Sequence, residues 1–226
     1  MVEIEEKIKK IAEEAGAGKI GFAKTDFKKE DRLFKYKSSI TLIFPLLEGI
    51  ISSIENKPTY EYFHHYRSIN RLIDDTTLKI SMYIEKKGYL AYPVAASQSV
   101  KGDYCGIFSH KQGATSSGLG WIGKSALLVT SEYGPRVRLG TILTDIDFIN
   151  YGEKINKSKC NECNICRDKC PALAITGKNW ELGMERAEIF DAKACSEHMK
   201  NAYKDIGRGA VCGICIACCP YSRIKK

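Results

Sequence analysis

The chain is 226 residues long, which allows one large domain or two modest ones, and its 44% hydrophobic content suffices for an ordinary buried core. The charged N-terminus, MVEIEEKIKK, and the strand-sized apolar segments predict neither a signal peptide nor a membrane span, so we expect a cytoplasmic protein with no membrane partner. A formal net charge of +8 is compatible with an anionic substrate or an acidic electron donor.

The first part of the chain mixes two periodicities. Apolar residues at helical spacing, ended by glycine, predict helices, and short apolar runs predict buried strands. The expected elements are, in order, a helix over 3–15, strands over 19–24 and 39–47, a helix over 60–87 and a strand over 89–97.

A polar, glycine-rich stretch with little periodicity follows over 98–120, and a long irregular loop of this kind is usually functional or disordered. Two strand-like runs within 125–145 are joined by a turn at Gly134-Pro135. The polar residues 146–159 indicate a linker. We therefore predict an α/β cofactor-binding domain over 1–155 and a second domain over 156–226.

The stretch GLGWIGKS, residues 118–125, has the spacing of a phosphate-binding P-loop. A working P-loop follows a buried strand and opens a helix, whereas this one follows HKQGATSS and precedes ALLVTSEYGP. The context therefore argues against nucleotide hydrolysis. Its glycines suit either close backbone approach to a flat ligand or a tight turn in the core.

Nine of the ten cysteines lie after residue 159, and residues 160–171 read C-x2-C-x2-C-x3-C-P. This spacing is typical of bacterial ferredoxins, in which three thiolates bind one 4Fe-4S cluster and the fourth serves another. Zinc is the alternative, but zinc sites usually pair two CxxC elements across a longer gap. The run predicts iron-sulfur binding.

A second cluster needs further ligands, and the C-terminal segment supplies them. If Cys219, which also precedes a proline, completes the cluster of the first three cysteines, the second cluster needs one more ligand, from Cys195 or Cys218. The ligands expected are Cys160, Cys163, Cys166, Cys170, Cys195, Cys212, Cys215 and Cys219, with Cys218 as the alternative to Cys195. Two adjacent clusters would form an electron-transfer module, and a purely structural role is the other possibility.

Several motifs occur in the order seen in one family. They are YFHHYR (62–67), SHKQGA (109–114), GLGWIGKS (118–125), EYGPRVRLGTILTD (132–145), the cysteine run and the closing Cys219-Pro220. The chain thus resembles the epoxyqueuosine reductase family, which is related to the reductive dehalogenases, in a short form without the C-terminal helical repeats.

The resemblance implies an α+β fold: a nitroreductase-like, cobalamin-binding α/β sandwich followed by a ferredoxin-like domain with two 4Fe-4S clusters. It implies a base-off corrinoid, reduced through the clusters, and a proton donor upstream of the glycine motif, for which Asp103 and Tyr104 are the candidates. It places cofactor contacts at His110, Gly118, Gly120, Trp121, Gly123, Lys124, Arg136 and Arg138.

The expected function is that of an iron-sulfur reductase, which acts in queuosine biosynthesis or reduces another small electrophile. Its electrons would come from a reduced ferredoxin or flavodoxin-type donor. The helical repeats that help relatives grip tRNA are missing here, which leaves a tRNA-borne and a small-molecule substrate both open. Two alternatives remain: an electron-transfer protein that activates another corrinoid or metal enzyme, and a flavin-dependent reductase.

Overall fold

The computed structural model describes residues 1–97 and 104–222. Two compact units make up the protein, and each is assembled from three stretches of sequence. The first unit comprises Met1–Pro45, Ile69–Leu119 and Arg138–Ile155, and the second comprises Leu46–Ser68, Gly120–Val137 and Asn156–Lys226.

The secondary structure of the described residues mixes helices and strands. The helices are Val2–Glu14 (α1), Glu48–Ser52 (α2), Tyr60–Lys86 (α3), His110–Ser116 (α4), Ile165–Asp168 (α5), Arg186–Ile189 (α6), Ala192–Ala202 (α7) and Ile214–Ala217 (α8), with a 3-10 turn at Pro220–Ser222. The strands are Lys19–Lys24 (β1), Ser38–Pro45 (β2), Ala91–Val94 (β3), Trp121–Ile122 (β4), Leu128–Val129 (β5) and Val137–Thr144 (β6).

A four-stranded sheet in the order β1-β2-β6-β3 organises the first unit, and both β1–β2 and β3–β6 are antiparallel pairs. Alternate residues of a strand face opposite sides of the sheet. One side packs against α1 and α3 through Ile8, Ile73 and Ile80, which are fully buried together with Ile40 and Leu42 of β2. This apolar layer is the main core of the unit.

Helix α4 covers the other side of the sheet at very close range. A Cβ on Gly113 would lie 2.5 Å from Thr41 Oγ1, and a Cβ on Gly21 would lie 2.7 Å from Ser117 Oγ. Side chains larger than glycine would therefore push the helix away from β1 and β2. With helices on both faces, the unit is a mixed α/β layer structure, and that part of the predicted fold is confirmed.

The second unit contains little regular structure. Strands β4 and β5 form a small hairpin, in which Trp121 pairs with Val129, and the cysteine-bearing helices α5 and α8 are each four residues long. A small apolar cluster of Ala126, Trp180 and Ile189 supports the hairpin. No helix in the described ranges, 1–97 and 104–222, is long and apolar enough to span a membrane.

Candidate iron-sulfur and cofactor site

The cysteines of the second unit fall into two neighbouring groups. Burial and then the thiols of Cys218 and Cys160 raise the pKa of Cys166 to about 12. Burial also raises the pKa of Cys219 to about 11, and among the thiols Cys160 contributes most to that rise. Thiols that influence one another in this way lie close together. We call Cys160, Cys163, Cys166 and Cys219 the first cysteine set.

The remaining cysteines gather around Cys195, on α7. Burial, followed by the thiols of Cys212 and Cys170, raises the pKa of Cys195 to about 11. Burial, Cys212 and Cys195 likewise raise the pKa of Cys215 well above its usual value. We call Cys170, Cys195, Cys212 and Cys215 the second cysteine set.

Cys218 lies beside the first set. Apart from burial, the thiol that most raises its pKa is Cys163, and Cys218 is in turn the leading thiol acting on Cys166. It follows Cys215 by three residues on the short helix α8 and its C-terminal cap. Cys170 also raises the pKa of Cys218, and Cys218 that of Cys215, whereas Cys195 is raised by both Cys212 and Cys170.

Across residues 1–97 and 104–222, no group of three or more His, Cys, Asp or Glu side chains has the spacing to hold one ion. The sulfur atoms of a 4Fe-4S cube's ligands are farther apart than those around a single zinc, so sets of four mutually facing thiols suit the cube.

Two residues that sequence reasoning missed lie at these sets. Burial raises the pKa of Cys212, and a hydrogen bond from the Tyr203 hydroxyl to the Cys212 sulfur opposes that rise. Asn164, inside the first cysteine run, accepts a hydrogen bond from Lys124 Nζ at 3.0 Å. The position of Asn164 between two predicted ligands was the one signal in the sequence, whereas nothing there marks Tyr203.

The β4–β5 hairpin borders the first cysteine set. A Cβ on Gly123 would lie 3.4 Å from Cys160 Sγ and 2.8 Å from Val129 Cγ2, and a Cβ on Gly120 would lie 2.4 Å from the carbonyl oxygen of Val129. Packing within the hairpin thus accounts for both glycines. The motif GLGWIGKS forms a strand and a turn here, without the helix that a P-loop opens.

Arg136 contacts the segment that follows Cys219, the last cysteine of the first set. This buried side chain donates from Nε to the Ser222 carbonyl oxygen at 2.8 Å and from a terminal nitrogen to the Leu46 carbonyl oxygen. Gly134 has a φ of +59°, and a Cβ there would lie 2.3 Å from the Tyr221 carbonyl oxygen. Both contacts fix the segment that follows Cys219.

In the first unit, two predicted cofactor contacts meet at one stretch of backbone. His110 pairs through Nδ1 with Thr141 Oγ1 at 2.8 Å and through Nε2 with the Ala95 carbonyl oxygen at 3.1 Å. Arg138 donates to the Ala96 carbonyl oxygen at 3.3 Å. Burial lowers the pKa of His110, so the ring is neutral and donates to Ala95 while accepting from Thr141.

Three further predicted residues, Gly118, Tyr104 and Asp103, belong to the sequence of this unit. Gly118 has a φ of +74°, and a Cβ there would lie 2.8 Å from the Glu153 carbonyl oxygen, so packing again requires glycine. Tyr104 is 43% exposed. Asp103, the first candidate for the proton donor, lies outside the described residues.

Both the cysteine segment and a larger part of the chain are similar to known proteins. Residues 153–176 match the 4Fe-4S binding domain family, which supports the predicted cluster binding. The chain is 31% identical over 128 residues to the epoxyqueuosine reductase of Gloeobacter violaceus, covering 52% of this chain and 37% of that protein. It is 27% identical over 206 residues to a tetrachloroethene reductive dehalogenase of Desulfitobacterium hafniense, covering 85% of this chain and 34% of that protein.

The fold agrees with the sequence similarity. A crystal structure of epoxyqueuosine reductase with an epoxyqueuosine-modified tRNA-Tyr stem loop superposes with a TM-score of 0.64 at 19% identity, covering 98% of this chain and 66% of that one. The chain therefore resembles epoxyqueuosine reductases and reductive dehalogenases in sequence and has the fold of an epoxyqueuosine reductase. It spans 37% and 34% of the two curated relatives.

Proposed function

We propose that this protein is an iron-sulfur reductase that uses a base-off corrinoid for the two-electron reduction of an epoxide or a similar electrophile. The observation that carries the proposal is the pairing of two four-cysteine sets in the second unit, in a chain similar to epoxyqueuosine reductases and reductive dehalogenases. We assign one 4Fe-4S cluster to each set, which makes the second unit a two-cluster ferredoxin-like module.

The residues of both sets suit this assignment. Because burial raises the pKa of several of the thiols in the metal-free protein, cluster assembly must release protons, and the positive charge of iron then offsets the charge of the bound thiolates. Tyr203 donates a hydrogen bond to the Cys212 sulfur, which is a recognised way to adjust a cluster's potential. The clusters would accept single electrons from a reduced ferredoxin or flavodoxin-type donor.

Corrinoid binding is supported by the similarity to both enzyme classes and less by the glycine motif, whose glycines internal packing explains. A bound corrinoid would supply a strongly nucleophilic two-electron centre. Both ring nitrogens of His110 are hydrogen-bonded, to Thr141 and to the Ala95 carbonyl oxygen, so His110 would contact a bound corrinoid without supplying a nitrogen ligand. We keep Asp103 and Tyr104 as candidate donors of the proton that the leaving oxygen requires.

The substrate is either tRNA-borne or a small molecule. The epoxyqueuosine reductase in the solved complex binds a modified tRNA stem loop, and the relatives also include a dehalogenase of a small chlorinated alkene. We place the reaction in the cytoplasm, where cysteines stay reduced and remain available as cluster ligands.

The test is an anaerobic titration of the iron-reconstituted protein with cobalamin, followed by electron paramagnetic resonance of the cobalt(II) state. We expect a stoichiometric signal without hyperfine coupling to a lower axial nitrogen. Intact clusters with no cobalamin bound would contradict the corrinoid proposal. In that case extraction of the native cofactor would separate a flavin reductase, which yields a yellow chromophore, from an electron-transfer protein, which yields none.

A further inference from the structure

The turn of the β4–β5 hairpin contains two buried donors that the fold leaves without an adequate partner. Trp121 is 3% exposed, and its Nε1–H has no hydrogen-bond acceptor among the described residues. Lys124 is 4% exposed and forms no ion pair with a carboxylate of residues 1–97 or 104–222. Both arrangements are costly, because a buried donor or ammonium without an acceptor or counter-charge has lost its hydration.

The Lys124 side chain reaches the segment that carries the first cysteine set. Lys124 Nζ donates at 3.0 Å to Asn164 Oδ1, and Asn164 lies between Cys163 and Cys166. The adjoining Gly123 would bring a Cβ to 3.4 Å from Cys160 Sγ, so this turn lies directly against a ligand.

Trp121 contacts residues that are close in sequence to Cys160 and Cys219. Its ring packs edge-on against Tyr221 at 5.2 Å between centroids, and Lys159 Nζ lies 5.5 Å from its centroid. Tyr221 follows Cys219 by two residues, and Lys159 directly precedes Cys160. Trp121 and Lys124 therefore both contact residues that lie one or two positions from cysteines of the first set.

We infer that Trp121 and Lys124 set the reduction potential of the cluster bound by the first cysteine set, an inference that rests on the cluster assignment of the proposed function but not on the corrinoid. A 4Fe-4S cluster with four thiolates is negatively charged and gains one more negative charge on reduction. A buried ammonium and an N–H donor beside it stabilise the reduced form more than the oxidised form, which raises the potential.

The experiment is a redox titration of the cluster-reconstituted full chain, followed by electron paramagnetic resonance, for the wild type, Lys124→Gln, Trp121→Phe and Lys159→Gln. We expect Lys124→Gln to lower one of the two midpoint potentials by about 59 mV, a tenfold change in the one-electron equilibrium, and Trp121→Phe to lower the same midpoint potential by less.

The matched control is Lys159→Gln, because Lys159 is an exposed lysine beside Cys160. Its effect should be small and should vanish at high salt, whereas the effect of Lys124→Gln should persist.

Iron content, measured on the same samples, distinguishes an unshifted midpoint potential from a failure to assemble the clusters. Unchanged midpoints in a fully iron-loaded Lys124→Gln protein would overturn the inference. If that variant does not assemble its clusters, Trp121→Phe decides, because it keeps an aromatic ring at this position and removes the N–H donor, and an unshifted midpoint there overturns the inference equally. A wild-type protein without clusters would overturn this inference together with the cluster assignment, whereas a failure to bind cobalamin would leave it intact.

Discussion

At the residue scale, the choice between Cys195 and Cys218 is the sharpest question that the sequence left open. Spacing alone could not decide it, since either cysteine could reach a second cluster by chain length. Tertiary placement distinguishes the two: α7 brings Cys195 to Cys212 and Cys170, whereas among the thiols Cys163 acts on Cys218 more than Cys170 does. Only the folded backbone carries that information. We therefore propose Cys195 as the ligand.

We predict that Cys195→Ala loses the second cluster and that Cys218→Ala keeps both. A missing thiolate leaves one iron of a 4Fe-4S cube without its ligand, whereas removal of a non-ligand thiol leaves the cluster intact. Iron content and the electron paramagnetic resonance spectrum of the reduced variants, prepared in parallel, provide the measurement. The assignment would be wrong if Cys218→Ala lost iron while Cys195→Ala retained the wild-type spectrum.

At the element scale, the turn between β5 and β6 supports the C-terminal end of the first cysteine set. Thr130 and Gly134 exchange backbone hydrogen bonds at 3.0 Å, which bring Gly134 against the carbonyl oxygen of Tyr221. The turn was predicted from Gly134-Pro135, but its contact with the residues after Cys219 is long-range and has no local signal. Local residues thus predict the turn, whereas tertiary packing determines what the turn supports.

We predict that Gly134→Ala displaces this segment and weakens iron retention. Gly183→Ala is the matched control, because Gly183 also has a positive φ, +95°, but a Cβ there would meet nothing within 4 Å. The control should cost only the backbone strain of about 1 kcal/mol, whereas Gly134→Ala adds a clash at 2.3 Å with a carbonyl oxygen. The measurement is iron release on heating, and equal release from both variants would contradict the prediction.

Other elements show the same limit of local reasoning. The patterns over 3–15 and 60–87 predicted α1 and α3 closely, because apolar periodicity and a closing glycine define a helix locally. The sequence analysis did not predict helix α4, because its seven residues, HKQGATS, show no apolar periodicity and include a glycine. That glycine, Gly113, is required by the close contact with Thr41. In α4 the contact with the sheet overrides the weak helical propensity.

At the scale of the whole molecule, the mixed α/β fold and the cysteine run could be predicted, but the division into compact units could not. Residues 120–137 cluster with the cysteine-bearing segment, although they lie before the expected linker. The reason is that Trp121, Lys124 and Arg136 contact residues beyond 158, through a hairpin too short to form a core of its own. The domain boundary after residue 155 remains a prediction.

We propose that eight of the ten cysteines bind two 4Fe-4S clusters, and the proposed reductase chemistry depends on both clusters. The most direct measurement is the iron and acid-labile sulfide content of the anaerobically purified chain. We predict about eight irons and about eight sulfides per chain, since each cube holds about four of each. About four irons would contradict the second cluster, and bound zinc without sulfide would contradict the iron-sulfur assignment altogether.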